Sequence, residues 1–381
     1  MAPRMSRREF VGRVARTVGA WGLGSWYGLR STTPAASAPV KGYLSPHRAR
    51  FFRALPGRRV KCLLCPRQCE VGDRERGYCG VRENRGGTYY SLVYGNPCVI
   101  HNDPIEKKPI LHALPGSKTL TLATAGCNLN CKYCQNWEFS QSRPEDTVNH
   151  ALTPEQAVAA AKNGGLTFIA FDYTEPVVFY EYVYDTARLA REKGLRTVMA
   201  SACYIRPIPL KMLCPYLDVL KVDLKGFTET FYWEICRGQL APVLEAAQLA
   251  QEEGVWVELV HLIVPTLNDD LNRIWQMCRW IVSHLGPDVP LTFSRFYPMY
   301  QLRNLPPTPL STLERAKQVA EEVGLRFVYL GNVPAASTGR NTYCPRCGKL
   351  LIQRIVYEVK QNRLRNGRCP ACKTPIPGVW E

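Results

Sequence analysis

The chain has 381 residues, 46% of them hydrophobic, so it is long enough for one large core with small additions. No run approaches 18 uncharged apolar residues, which excludes an ordinary membrane-spanning helix beyond the leader. The net charge is +17, but residues 1–59 carry +11 of it; the rest of the chain is not a broad basic face, and we expect no nucleic-acid partner.

Residues 1–40 have the pattern of an export leader. The stretch SRREFV (6–11) fits the twin-arginine motif, a weakly apolar stretch follows, and Ala36-Ser37-Ala38 matches a small-residue cleavage site, although Pro39 is a poor residue to follow it. The leader predicts export to the periplasm by the twin-arginine route. If it does not act, it is a basic, unstructured extension of a cytoplasmic protein.

The next segment, residues 41–117, is rich in Gly, Pro and Cys and predicts a small metal-stapled module with a connector. Short Cys spacings favour metal ligation over a disulfide framework. A zinc ion and a second iron–sulfur cluster both suit this spacing, and the sequence does not decide between them. The four candidate ligands are Cys62, Cys65, Cys69 and Cys79.

From residue 118 to 335, apolar strands alternate with amphipathic helices, which predicts a parallel sheet covered by helices and a partial or full β/α barrel. In such barrels, sites form at the carboxyl ends of the strands. Thr153 and Gln156 form a predicted capping box at the first helix. The predicted strands are 120–125, 167–173, 196–201, 218–225, 256–264, 291–298 and 326–331; the predicted helices are 153–165, 176–194, 241–254, 271–286 and 312–324.

The loop after the first of these strands contains Cys127, Cys131 and Cys134 in a C-x3-C-x2-C spacing. Soft thiolates favour zinc or an iron–sulfur cluster, and a structural zinc site normally has four protein ligands. No fourth Cys or His is close in the sequence. A 4Fe–4S cluster held by three thiolates would keep one iron open for a substrate or cofactor.

This motif, with Tyr133 before its third Cys, resembles that of the radical S-adenosylmethionine (SAM) superfamily. The resemblance implies that the open iron binds SAM and that an electron from the cluster cleaves SAM to a 5′-deoxyadenosyl radical. That radical then abstracts a hydrogen atom from a substrate.

The same resemblance indicates further SAM-binding residues besides Tyr133. Glu175, at the end of the second strand, resembles the glutamate that accepts a hydrogen bond from the SAM amine, although Tyr-Thr replaces the usual Gly-Gly before it. Asp223 and Lys225 resemble the Asp-Leu-Lys element of glycyl-radical-enzyme activases. The alternatives are a helix cap for Glu175 and a structural ion pair for the other two. His261, on the fifth strand, is a weaker candidate.

The tail, residues 336–381, is predicted to be a separate zinc-ribbon or rubredoxin-like knuckle with two C-P-x-C pairs. Zinc is the favoured ion and iron is the alternative. The ligands are Cys344, Cys347, Cys369 and Cys372; the isolated Cys203, Cys214, Cys236 and Cys278 are interpreted as buried, inert thiols.

Several stretches resemble the radical SAM enzyme of the AmmeMemoRadiSam system, a relative of pyruvate formate-lyase activating enzymes. They are DPIEKKPILH, GCNLNCKYCQNW, YTEP, RFYPMYQL, YLGN and NTYCPRCGKLLI. The resemblance implies a low-potential electron donor and partner proteins of that system. It does not identify the substrate, and a protein is among the candidates. The two rival hypotheses are an activase of a glycyl-radical enzyme and a metal-stapled nucleic-acid- or protein-binding module without turnover.

Overall fold

The computed structural model describes residues 38–381. The predicted twin-arginine leader, residues 1–40, lies outside the described residues except for its last three positions. Within the part of the chain that is described, no helix is both long enough and apolar enough to cross a membrane.

The N-terminal module consists of short strands in two small antiparallel sheets, ordered β3-β4-β5 and β2-β7-β6. None of these strands exceeds four residues, which is too short for an alternating pattern to be recognised in the sequence. The strands are β1 (Val40–Lys41), β2 (His47–Arg48), β3 (Phe52–Leu55), β4 (Arg59–Cys62), β5 (Glu70–Val71), β6 (Arg82–Arg85) and β7 (Thr88–Ser91).

The centre of the molecule is an eight-stranded sheet in the order β16-β15-β14-β13-β12-β11-β9-β8. Seven of its strands, β9 and β11 to β16, run parallel to one another, and β8 pairs with β9 antiparallel. Among the described residues no ladder joins β8 to β16, so the predicted barrel is not confirmed. The strands are β8 (Val99–Pro104), β9 (Lys118–Ala123), β10 (Val148–Asn149, paired with β1), β11 (Phe168–Phe171), β12 (Arg196–Ser201), β13 (Val219–Asp223), β14 (Trp256–Ile263), β15 (Leu291–Arg295) and β16 (Val328–Gly331).

Helices connect these strands, as the alternation predicts. The capping box of the first predicted helix is confirmed, with Thr153 and Gln156 exchanging hydrogen bonds of 3.3 and 2.9 Å. The predicted helix 176–194 instead begins with a 3₁₀ turn, Pro176–Phe179. The α-helices are Trp137–Ser140, Pro154–Asn163, Tyr180–Glu192, Pro207–Leu213, Glu229–Phe231, Ala241–Glu252, Leu271–His284 and Leu310–Val323, with a π-helix at Tyr232–Cys236.

The two faces of the sheet have different environments because successive side chains on a strand alternate. One face, with Ile169, Leu220 and Leu259, packs against the helices. The other face is apolar near the start of the strands, where Ala170 and Val198 belong to a separate cluster. Towards the carboxyl ends, this second face becomes polar and lines a cavity.

The tail forms a three-stranded antiparallel sheet of β17 (Thr342–Tyr343), β18 (Leu350–Ile355) and β19 (Glu358–Asn362). The tail packs against the large sheet: Leu351 and Ile352 share a hydrophobic cluster with Tyr329 of β16 and with Phe327, which precedes it. The prediction that the tail is a separate domain stays a prediction. Arg354 adds a buried link by donating to the carbonyl oxygen of Leu111 at 2.7 Å.

The last residues of the tail reach the base of the large sheet. The backbone N–H of Val379 donates to the oxygen of His112 at 2.7 Å, and the N–H of Leu114 donates to the oxygen of Val379 at 2.8 Å. Val379 packs against the apolar cluster that contains Ala170 and Val198 on the second face of the sheet, here called the inner face. The Trp380 ring lies near His112. The base of the sheet is therefore covered by residues distant in the sequence.

Candidate radical SAM site

The three cysteines of the loop after β9 lie at the carboxyl edge of the large sheet. Cys127, Cys131 and Cys134 all line one cavity of about 320 Å³. This is the edge where ligand sites form in parallel α/β sheets. The volume lies at the lower end of the range for small-molecule sites. The loop therefore presents three soft ligands to a space that a cofactor can enter.

The loop is held in place by the π-helix Tyr232–Cys236. The N–H groups of Asn130 and Lys132 donate to the carbonyl oxygens of Cys236 and Ile235, each at 2.9 Å. These backbone contacts fix the loop that carries Cys131, although more than a hundred residues separate it from the π-helix.

Cys236 is buried, as the sequence predicts, but it also contacts the three-cysteine loop. Its Sγ lies 3.6 Å from the Tyr133 hydroxyl, and it lies near the Cys131 thiol. The interaction with Cys236 and burial raise the pKa of the Cys131 thiol. Cys236 does not line the cavity, whereas Tyr133 does.

Glu175 lines the same cavity and is almost fully buried. One carboxylate oxygen accepts from the Ser201 hydroxyl at 2.5 Å, and the other accepts from the Ala202 N–H at 2.9 Å. It also caps the 3₁₀ turn by accepting from the Val177 N–H at 3.3 Å. Burial raises the Glu175 pKa, against the lowering effect of these donors. The capping role and a position on the cavity wall therefore coexist.

Tyr173 has a left-handed backbone, with φ of 64°. This conformation favours glycine and costs an ordinary residue roughly 1–2 kcal/mol. The Tyr173 hydroxyl donates to Asp103 Oδ2 at 2.7 Å, and its ring lies 5.4 Å from Lys108 Nζ. These contacts hold a tyrosine at a position where the resembling family has Gly-Gly.

Asp223 lies between two lysines on the cavity wall. Its carboxylate accepts from Lys221 Nζ at 2.5 Å and from Lys225 Nζ at 3.1 Å. Burial favours the neutral acid, but the two cations outweigh it and hold the Asp223 pKa at about 2. Burial lowers the Lys225 pKa, but the attraction of the Asp223 carboxylate outweighs burial, so the Lys225 pKa is raised. The wall is thus a fixed cation–anion–cation row.

Sequence reasoning missed three contributors to this cavity. Lys221 was detectable, because it precedes Asp223 by two residues and so points to the same face of β13. Lys108 is fully buried and contacts Asp103 and Asp172, each at 3.3 Å. Tyr357 reaches the cavity from the turn between β18 and β19, for which the sequence gives no signal.

His261 is on the other face of β14, away from the cavity. Its Nδ1 lies 2.8 Å from the Leu224 oxygen, and its ring packs edge-on against Phe293. Burial lowers its pKa to about 4, so the ring is neutral at physiological pH. The structure gives His261 no contact with the site.

The four cysteines of the tail could hold one metal ion. Their sulfur atoms all lie within 4.8 Å of one another, with Cys344 and Cys372 3.5 Å apart and Cys347 and Cys369 3.7 Å apart. A tetrahedral zinc ion with bonds of about 2.3 Å would place its sulfurs about 3.8 Å apart. The four cysteines of the N-terminal module instead line a small cavity next to the loop, with Asn128 in its wall.

The residues of the main cavity fit a 4Fe–4S cluster and SAM. The three thiols are the soft ligands that such a cluster takes. The described residues that line the cavity include no fourth thiol and no imidazole, so one iron would remain for a non-protein ligand. Glu175, Asp223 and Lys225 offer acceptors and a donor for the charged amino-acid end of SAM.

Comparisons with known proteins agree with this fit. The model of the radical SAM superfamily matches residues 121–281. The uncharacterized protein MJ0808 of Methanocaldococcus jannaschii is 43% identical over 330 residues, which are 86% of this chain and 98% of that protein. Pyruvate formate-lyase 1-activating enzyme of Escherichia coli is 24% identical over 56% of this chain and 93% of its own length.

Solved structures give a weaker likeness. Streptococcus suis SuiB bound to S-adenosylmethionine has a TM-score of 0.46 and 12% identity, over 60% of this chain and 53% of SuiB. That likeness is too low to carry an argument, whereas the matches in sequence cover both the motif and most of the chain. The chain therefore belongs to the radical SAM superfamily, which implies a 4Fe–4S cluster and SAM, and it is an enzyme of the radical SAM type.

Proposed function

We propose that Cys127, Cys131 and Cys134 hold a 4Fe–4S cluster with one open iron for SAM, and that the enzyme abstracts a hydrogen atom from a substrate in the same cavity. The supporting observation is that the three thiols, Glu175 and the Asp223 row line one space of about 320 Å³. When bound, the cluster and SAM supply a 5′-deoxyadenosyl radical by one-electron reductive cleavage.

The residues of this chain bind and orient SAM in this proposal. Glu175 is pre-positioned by Ser201 and Ala202, so its carboxylate can accept from an ammonium group without rearranging. Lys225 offers a half-buried cation to a carboxylate, and Asp223 keeps that cation in place. Tyr133 lines the cavity and contacts Cys236 through its hydroxyl, which holds the loop in place. The burial of Glu175 and Tyr133 limits the access of water to a reactive intermediate.

An activase of a glycyl-radical enzyme is the second candidate. The observation that favours it is the similarity to the pyruvate formate-lyase 1-activating enzyme over 93% of that enzyme. The substrate would then be a backbone glycine of a partner protein. We propose the proteins of the AmmeMemoRadiSam system as partners, on the motifs given above. A binding module without turnover is set aside, because the chain is an enzyme of the radical SAM type.

The test is anaerobic SAM cleavage under dithionite with the reconstituted full chain. We expect 5′-deoxyadenosine and methionine from the wild type, and a loss of at least tenfold for Asp223→Asn, because Lys221 and Lys225 lose a fixed anion between them. The matched control is Asp146→Asn, an exposed aspartate far from the row. Equal rates for both variants would contradict the role of Asp223. An EPR-detectable glycyl radical on an added partner protein would select the activase.

For the tail we propose structural zinc. Four protein thiolates leave no open position, and a metal site absent from the unfolded chain adds its binding free energy to folding. Cys344→Ser should remove about one equivalent of zinc and lower the melting temperature by roughly 5–10 °C. Iron content and the absorbance of the main cluster should stay unchanged. Loss of iron at constant zinc would show an iron site in the tail instead.

We propose that the leader exports the folded enzyme by the twin-arginine route. Residues 1–45 fused to a folded reporter should direct it to the periplasm, and Arg7→Lys with Arg8→Lys should block this, because the motif is read by a receptor rather than by charge. The measurement is reporter activity in periplasmic and cytoplasmic fractions. A reporter that stays in the cytoplasm with the native leader would contradict the proposal.

A further inference from the structure

The four cysteines of the N-terminal module surround one enclosed space. Cys62, Cys65, Cys69 and Cys79 all line a cavity of about 20 Å³. The N–H of Cys62 donates to the oxygen of Cys69 at 2.9 Å, so the chain between them turns back on itself. The N–H of Tyr78 donates to the Sγ of Cys69 at 3.5 Å, which brings Cys79 to the same space. Four thiols from one short segment therefore converge.

The wall of this space also carries a buried polar group without a partner. Arg82 lines the cavity at 1% exposure, and its Nε–H has no hydrogen-bond acceptor among the described protein atoms. The other end of its guanidinium is paired with Glu181, which is also fully buried. An unpaired buried N–H costs free energy. A sulfur-rich anionic group in the cavity would offer this donor an acceptor.

The distances between the sulfur atoms distinguish a site for an iron–sulfur cluster from a site for a single metal ion. In the tail, all four sulfurs lie within 4.8 Å of one another, as a single zinc ion requires. Within residues 38–381, the four tail cysteines are the one group of Cys, His, Asp or Glu side chains whose ligand atoms all lie within 4.8 Å of one another. The sulfur atoms of the N-terminal cysteines therefore lie further apart. A four-iron cluster binds each thiolate at a different corner and spreads the sulfurs more widely than one ion does.

This space lies next to the three-cysteine loop. Gly126 precedes Cys127 and packs so closely that a Cβ would lie 2.5 Å from Val81 and 2.7 Å from the Cys79 oxygen. Arg67 spans the boundary: its Nε donates to the Asn128 oxygen at 2.6 Å, and its guanidinium lies 3.4 Å from the centre of the Tyr78 ring. The two sets of thiols therefore share a wall.

We propose that Cys62, Cys65, Cys69 and Cys79 hold a second 4Fe–4S cluster beside the SAM site. With four thiolate ligands it has no open iron, so it exchanges single electrons with a low-potential one-electron donor rather than binding a substrate. This inference does not depend on the identity of the substrate. It predicts a chain with two kinds of metal site: iron in the N-terminal module and the loop, and zinc in the tail.

The test uses the full chain, reconstituted with iron and sulfide, and compares two variants. The wild type should contain about eight irons, and the triple variant Cys127→Ala, Cys131→Ala, Cys134→Ala about four. That triple variant should keep its brown colour and an EPR signal on reduction, but the signal should not change when SAM is added. Because it leaves the N-terminal thiols intact, it remains informative even if Cys65→Ser fails to fold.

Cys65→Ser should retain about four irons, with an EPR signal that still responds to SAM. In the fully reduced wild type, the two clusters should broaden each other's signals through spin coupling, and this broadening should disappear in both variants. A triple variant without iron and with a second equivalent of zinc would overturn the proposal. A wild-type spectrum equal to the sum of the spectra of the two variants would contradict the proposal that the two clusters lie side by side. SAM cleavage is measured separately, so a failure of the proposed function is distinguishable.

Discussion

Cys131→Ala should abolish SAM cleavage entirely. Cys131 is the central thiol of the loop, lines the cavity and is fixed by the two backbone bonds to the π-helix. Two remaining thiolates cannot hold the cluster in place, so about four irons should be lost together with the SAM-dependent change in the EPR spectrum. The measurements are iron content, the EPR spectrum with and without SAM, and 5′-deoxyadenosine formed under dithionite.

Two control variants sharpen this experiment. Cys278 is fully buried in the helix Leu271–His284, on the opposite side of the sheet, so Cys278→Ala should keep the cluster and activity. Cys236→Ala tests the neighbouring thiol: it should also keep the cluster, because Cys236 does not line the cavity. If Cys131→Ala still formed 5′-deoxyadenosine, or if Cys236→Ala lost as much iron, the three-thiol assignment would be wrong.

Arg354→Met should cost about 3–5 kcal/mol of stability, the usual effect of removing one partner from a buried charge pair. Arg354 and Glu106 are both fully buried, and Arg354 Nε lies 3.7 Å from Glu106 Oε1. Its other nitrogens donate to the oxygens of Leu111 and Arg340. The substitution therefore leaves a buried carboxylate without its cation and removes the hydrogen bond from β18 to Leu111.

The measurement is the free energy of unfolding from denaturant titration. Arg326→Met is the matched control, because Arg326 pairs with Asp288 at 3.0 Å on the surface, where such pairs contribute up to about 1 kcal/mol. Combining Glu106→Gln with Arg354→Met should restore part of the loss, since the orphaned charge is then removed. Equal effects of the two Arg→Met substitutions would contradict a buried link.

The parallel sheet could be predicted from the sequence because its strands are continuous apolar runs. The strand 196–201 was predicted with its observed bounds, Arg196–Ser201. By contrast, β8 was missed, since it is antiparallel and half-exposed and includes Pro104. The barrel was an extrapolation from the number of β/α units, but closure depends on pairing between the edge strands, which no local pattern encodes.

The candidate site was predictable where the residues share a motif or a strand. Cys127, Cys131 and Cys134 are close in sequence, and Asp223 and Lys225 follow the two-residue period of β13. The contact between Cys236 and the loop could not be predicted, because Tyr133 is more than a hundred residues away in the sequence. The same reason applies to Lys108 and Tyr357: each reaches the cavity through packing between segments that are distant in the sequence.

The closure of the sheet base by the last residues has a consequence for the order of folding during synthesis. The segment that contacts His112 and Leu114 includes Val379, which leaves the ribosome after every strand of the sheet has been made. A nascent chain therefore keeps the apolar surface around Ile110 and Ala113 open until Val379 has been made. Transiently exposed apolar surface is the reason that chaperones are needed, so we expect chaperone dependence to be greatest between the synthesis of β16 and that of Val379.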